Sequence, residues 1–291
     1  MHQETPKPWL SWLIFIILSV IWGSSFILMK EGMKGLSAFQ VASIRIFSAG
    51  AILLPVALRQ FKRVERTDLP LILLSGLLGT FFPAFLFCIA EIKLDSSVAG
   101  ILNALTPLFT IVLGVMFFNL SMTGRKWAGV LIGLTGLVWL VLSGSREVSF
   151  ANISYAGFII VATVLYGLNV NLVNRHLRHV PSLTLAALAF SSLTLPALIV
   201  LLATGYFSLT PNGPFLYSSA ASAVLGIMGT AAASVLFYML MKRSGALFAS
   251  MVTYGIPFVA LAWGALAGEA ITAAQLVCLG LILGGVFLAN R

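Results

Sequence analysis

The feature that most constrains this chain is its succession of apolar runs, each about twenty residues long, separated by short breaks that hold nearly every charge. A helix needs about 20 apolar residues to cross the hydrocarbon core of a bilayer. Within that core only helices and closed barrels satisfy their own backbone, and continuous runs of this length read as helices. They fall at 10–29, 38–58, 69–90, 96–118, 124–143, 153–173, 182–203, 215–239, 246–266 and 272–289. The fold class is therefore all-α integral membrane, with ten transmembrane helices expected. Composition agrees: the chain is 60% hydrophobic and 9% charged, whereas a soluble domain carries about a quarter charged residues. Ten spans leave no room in 291 residues for a soluble domain of ordinary size. The first run ends in Lys30 and Glu31 and not in a small-residue cleavage site, so it reads as a span and not a signal peptide.

Loop charges orient the chain. With the N-terminus in the cytoplasm, the inside loops hold Lys7, Arg59, Lys62, Arg63, Arg66, Arg125, Lys126, Arg175, Arg178, Lys242, Arg243 and Arg291. The outside loops hold Lys30, Lys34, Lys93 and Arg146, and Arg45 lies inside a span, a bias of twelve against four. This is the asymmetry the positive-inside rule demands, and it puts both termini in the cytoplasm. The same distribution accounts for the net charge of +9 without nucleic acid, which would need clustered Lys and Arg on a polar scaffold. Cys88 and Cys278 sit in apolar runs and read as small hydrophobic residues. His2, His176 and His179 have no partner at metal-ligand spacing, so neither a metal nor a cofactor is expected.

The two halves of the chain repeat. "GLLGTFFPAFLF" from Gly76 aligns with "GIMGTAAASVLF" from Gly226, matching Gly76/Gly226, Gly79/Gly229, Thr80/Thr230, Leu86/Leu236 and Phe87/Phe237. The same ungapped shift pairs Ala99 with Ala249, Pro107 with Pro257 and Gly114 with Gly264. A second pairing sets "WGSSFILMK" at Trp22 against "YGLNVNLVN" at Tyr166, and the longer connection "GYFSLTPNGP" accounts for the changed shift. Each unit holds five spans, an odd number, so the second unit enters from the opposite side. Inverted repeats recur among secondary transporters, whose two access states need similar energies.

Taken together, "IWGSSFILMK", Arg45 in the second span, "LTPLFTIVLG", "YGIPFVALAWGALAGEAIT" and the final "GLILGG" resemble the EamA type of the drug/metabolite transporter superfamily. The resemblance covers two tandem units, 12–142 and 153–289. It implies a plasma-membrane carrier with a central cavity between its halves, often an exporter of amino acids or related metabolites. Glu91, at the end of the third span, departs from the apolar or small residue more usual there.

Several side chains are candidates for function. Trp22, Ser25, Asn103, Tyr166, Asn169, Tyr238 and Tyr254 are expected to line a substrate cavity, supplying ring faces and hydrogen bonds among aliphatic surface. Ser24 and Asn171 belong to the same polar set, although small polar residues also serve as packing glue in membrane helices. Asn169 and Asn171 lie about 200° apart around one helix, so one of them at most faces the cavity. Arg45 is an intramembrane charge that either locks helices together or faces substrate or gate. Glu91 and Glu269, with Glu31 and Asp95 behind them, are the natural acceptors of a coupling proton. Pro107 and Pro257 are matched positions expected to bend their helices as gating hinges.

The function expected is a secondary transporter of small, partly apolar organic solutes working by alternating access as an exporter or exchanger. Its partners are the solute, the lipid bilayer and a coupling proton, with no nucleic acid. An importer of the same solutes and a non-transporting receptor or scaffold are the alternatives. No HExxH, paired aspartates or GxSxG motif supports an intramembrane enzyme, and no filter motif supports a channel.

Overall fold

A computed structural model describes residues 8–121, 123–142 and 153–289. Lys7, Arg146 and Arg291, three of the orienting charges, lie outside the described residues, as does His2. Each apolar run is helical, and no strand occurs among the described residues. The helices are α1 (Pro8–Gly32), α2 (Ala38–Gln60), α3 (Leu69–Gly76), α4 (Phe82–Ala90), α5 (Ser96–Asn103), α6 (Thr106–Phe118) and α7 (Gly124–Leu142). The second half contains α8 (Ile153–His176), α9 (Ser182–Ser192), α10 (Thr194–Ala203), α11 (Gly213–Val224), α12 (Ala233–Ser250), α13 (Val252–Leu266) and α14 (Ala273–Ala289). Seven helical stretches are long and apolar enough to cross a membrane, while Val252–Leu266 and Ala273–Ala289 are shorter apolar helices. The 19-residue α7 opens on Gly124, Arg125 and Lys126. The protein is thus a multi-pass membrane protein. Its outer surface agrees, with large apolar side chains such as Leu58, Leu195 and Leu266 projecting outward, the last 79% exposed, a surface that only lipid would cover favourably.

Local sequence explains the ends and breaks. Ser37 and Gln40 form a reciprocal capping box that starts α2. Asn212 accepts from the Phe215 amide at 2.9 Å and Pro214 follows in the first turn, which starts α11. Asn119 ends α6 in the left-handed conformation at φ 57°. Gly245 breaks α12 at φ 86°, a conformation that requires a residue without Cβ.

The matched motifs take the same unusual form in both halves. Leu77–Phe81 joins α3 to α4 as a π-helical segment, and Leu225–Ala232 joins α11 to α12 as another. Pro83 follows the first, but its counterpart is Ala233, so proline is not what underwinds the chain. Close approach by neighbouring helices is common to both. A Cβ on Gly76 would sit 2.9 Å from the Ala189 carbonyl, and one on Gly226 would collide with the Arg45 carbonyl. Likewise Gly23 meets Val259 and the Ile256 carbonyl, while Gly167 meets Phe109 and Thr110. Small residues let these helices touch through their backbones, where lipid offers no hydrophobic drive for association. α7 packs chiefly on α14, with Gly129 and Gly133 against Gly285.

Candidate functional site

The centre holds a cavity of about 130 Å³, far more than the ~10–15 Å³ a single water needs. Both halves build it. From the first come Trp22, Ser25 and Met29 of α1, Arg45 of α2, Thr80 of the first π segment, Phe87 of α4 and Asn103 of α5. The second supplies Tyr166 and Asn169 of α8, Gly229 and Thr230 of the second π segment, and Phe237 and Tyr238 of α12. The wall is mostly apolar, with a few convergent polar groups, the usual make-up of a small-molecule pocket.

Hydrogen bonds fix the wall across the two halves. The indole of Trp22 donates to the Gly229 carbonyl at 2.9 Å, and its ring lies 5.2 Å from that of Phe237. Arg45 Nε donates to Thr230 Oγ1 at 2.8 Å, and the guanidinium also interacts with Tyr166. Ser75 donates to Asn169 Oδ1 at 2.7 Å, and the Tyr238 phenol interacts with the same pair. Tyr166 stacks on Phe87 with ring centroids 6.0 Å apart. Among the described residues no carboxylate forms a salt bridge with Arg45, although its side chain is 8% exposed.

Six of the seven expected lining residues, Trp22, Ser25, Asn103, Tyr166, Asn169 and Tyr238, meet at this cavity with Arg45. Tyr254 does not: Thr253 and Ile256 carry α13 to the cavity, and one residue along a helix turns a side chain by about 100°. Asn171 faces α6 instead, donating to the Thr110 carbonyl at 2.8 Å. Thr80, Thr230 and Gly229 line the cavity although they were not singled out for it, and the repeat motif already marked all three. The expected symmetric proline bends differ in form. Pro107 stands in the first turn of α6, after a break at Ala104 and Leu105, where a missing N–H costs nothing. Pro257 lies inside α13, after the break at Met251.

Glu31, Glu91, Asp95 and Glu269 gather at one end. Lys30 approaches Asp95 at 3.8 Å, and Lys34 pairs with Glu31 at 2.7 Å. Glu269, between α13 and α14, caps α5 from the other half of the chain. One carboxylate oxygen accepts from the Ser96 amide at 2.9 Å and from the Ser96 hydroxyl, and the other accepts from the Ser97 amide at 3.0 Å. Burial pushes the Glu269 carboxyl up, but these donors outweigh it and hold it below the usual carboxylate range. Glu269 is therefore an anionic helix cap and not an unengaged proton acceptor. Glu91 sits just inside this end, 1% exposed, and among the described residues neither carboxyl oxygen has a hydrogen-bond partner. At the opposite end of the same spans His179 meets Asp68 at 2.8 Å. No cluster of His, Cys, Asp and Glu that could hold a metal occurs among the described residues.

Comparison with known proteins adds four findings. A model described as the EamA-like transporter family matches the sequence twice, over residues 9–142 and 153–291. An uncharacterized transporter of Archaeoglobus fulgidus is 27% identical over 96% of this chain and 98% of its own length. An S-adenosylmethionine uptake transporter of Rickettsia felis is 25% identical over 82% of this chain and 77% of its own. Among solved structures, one crystal structure superposes with a TM-score of 0.66 at 20% identity, covering 96% of both chains, a likeness of fold alone.

Proposed function

We propose, from the premise that this chain belongs to the EamA-like transporter family, that it moves small organic metabolites across the plasma membrane by alternating access, as an exporter or exchanger. In this reading it crosses the bilayer ten times, as two five-helix units at 12–142 and 153–289 inserted in opposite senses, with both termini cytoplasmic. The observation that carries the proposal is the central cavity, which draws its wall from both halves and is tied across them by the Trp22–Gly229 and Arg45–Thr230 bonds. The matched glycine contacts and the paired π segments support two similar units meeting around one site. The breaks at Ala104–Leu105, Gly245 and Met251, next to Pro107 and Pro257, are where the two units flex between access states.

The lining also bounds the substrate. Trp22, Tyr166 and Phe237 offer ring faces, Asn103 and Asn169 offer hydrogen bonds, and Arg45 is the one Lys or Arg among the lining residues. A flat or apolar solute with one anionic end fits this set, as an amino acid or a related metabolite does. A multiply charged solute fits poorly, because one guanidinium cannot offset its desolvation. An importer of the same class is the second reading, favoured by the relative named as an uptake transporter. Counterflow of radiolabelled amino acids in proteoliposomes tests the proposal. Trp22→Ala and Tyr166→Ala should each raise the half-saturation concentration at unchanged protein level. Counterflow no greater than in empty liposomes, or unchanged affinity in both variants, would refute it.

A further inference from the structure

Glu91 is the least explained side chain in the molecule. It is the residue at which α4 ends, 1% exposed, and among the described residues neither carboxyl oxygen has a hydrogen-bond partner. An isolated buried carboxylate is so costly that the group takes up a proton instead. Its place at a helix C-terminus disfavours the anion further, because the last carbonyls carry partial negative charge.

Packing does not require a carboxyl here. The ungapped shift that pairs Gly76 with Gly226 and Phe87 with Phe237 pairs Glu91 with Met241, which is 3% exposed in the core of the second half. At the matched position of the repeat, an apolar side chain of similar length is thus buried where the first half has a carboxyl.

The surroundings tie Glu91 to one face of the protein. The charged and titratable groups around it are Lys30 of α1, Arg45 of α2, Cys88 of α4, Asp95 before α5, and Glu269 between α13 and α14. Two of these make contacts at this face: Glu269 caps α5 across the two halves, and Asp95 approaches Lys30. Glu91 is buried within electrostatic reach of Lys30, Glu269 and Asp95. We propose that Glu91 is a proton-binding site that ties the opening of this face to the release of one proton. While the face is closed the carboxyl keeps its proton. When the face opens, the O–H bond breaks, the proton passes to solvent water, and the carboxylate is left hydrated. Burial raises the affinity of Glu91 for its proton well above the usual carboxylate range; Lys30 opposes this, Glu269 adds to it, Arg45 opposes it and Asp95 adds to it.

The inference names the coupling ion of the carrier proposed above, but its test needs no substrate and so does not fail with that reading. The whole protein in lipid nanodiscs is titrated by infrared spectroscopy as wild type, Glu91→Gln and Glu91→Met. A protonated-carboxyl band at neutral pH is expected in the wild type and absent from both variants. Hydrogen exchange of the peptide spanning 94–103, corrected for the intrinsic rate, then follows opening of the face. The closed state binds the extra proton, so low pH favours closure, and above the open-state value the opening equilibrium rises about tenfold per pH unit until the closed-state value is passed. In both variants this slope should vanish, with Glu91→Met as the check if Glu91→Gln folds poorly. Coincident wild-type and variant spectra at neutral pH would overturn the proposal, as would an exchange slope in the variants equal to that of the wild type.

Discussion

Replacing Arg45 by Met separates a residue kept for stability from one kept for function. The structure sets two opposing quantities. Arg45 gives Thr230 a charge-assisted hydrogen bond at 2.8 Å between buried groups, worth about 1.5–3 kcal/mol. Against it stands the cost of holding an arginine at membrane depth, about 2.5–3.5 kcal/mol on insertion scales. The two nearly cancel, so Arg45→Met should change thermal stability by no more than about 1 kcal/mol while abolishing substrate counterflow. Arg45→Lys retains the charge but not the directed Nε bond, and should keep partial transport. Thr230→Val removes the acceptor alone and should leave the guanidinium able to reach solute. The exposed Arg66 serves as reference, since surface substitutions usually stay within about 0.5 kcal/mol. The assay is paired, with thermal unfolding in detergent beside counterflow in proteoliposomes. If Arg45→Met and Thr230→Val both lose about 3 kcal/mol or more, Arg45 is a structural lock and the reasoning fails. Equal activity and expression of the Arg45→Ala and Arg66→Ala variants would remove it from the site altogether.

Two further outcomes follow from the ends of the molecule. A cysteine introduced at Lys62 should react with an impermeant maleimide only after cells are opened, and labelling from outside in intact cells would reverse the orientation read from the loop charges. Glu269→Gln should destabilise the start of α5 by about 1 kcal/mol, seen as a lower unfolding temperature. Because the folded state depresses this carboxyl, its contribution is present above the ordinary value of 4.5 and lost on acidification through the lower folded value. A difference between Glu269→Gln and wild type that shows no loss anywhere on acidification would contradict the capping role.

The sequence was informative wherever the physics is carried by composition or by spacing. The helices stand where the apolar runs stand, because nothing but a helix satisfies twenty residues of backbone in lipid. The cavity was legible through Trp22, Asn103, Tyr166 and Tyr238, since aromatic and amide groups are conspicuous among aliphatic ones. Tyr254 was misjudged because chemical prominence says nothing about angle, and the smaller Thr253 beside it takes the inward face. The π segments leave no compositional trace, since one extra residue per turn needs no special side chain, yet the repeated Gly and Thr marked where they fall. The cap that Glu269 makes was not legible in the sequence for another reason. Local capping rules look one turn back, to Asp95, which makes no side-chain cap bond, while the cap comes from a carboxylate 173 residues away.

The two halves agree in their glycines and disagree in their charges, and that contrast bears on how such a carrier would run. Gly76 meets Ala189 just as Gly226 meets Arg45, so these contacts pair Arg45 with Ala189. Thr230 bonds the guanidinium of Arg45, whereas Ala189, the residue these contacts match to Arg45, carries no polar side chain. Glu91 is paired with Met241 in the same way. A scaffold matched in its close contacts gives two access states of similar packing energy, which alternating access needs. Two buried ionisable groups placed in one half alone make those states unequal in electrostatics without disturbing the packing. Under the alternating-access reading, the bias between inward and outward states therefore rests on what Arg45 and Glu91 hold, a solute's anionic end and a proton, and not on the helices that carry them.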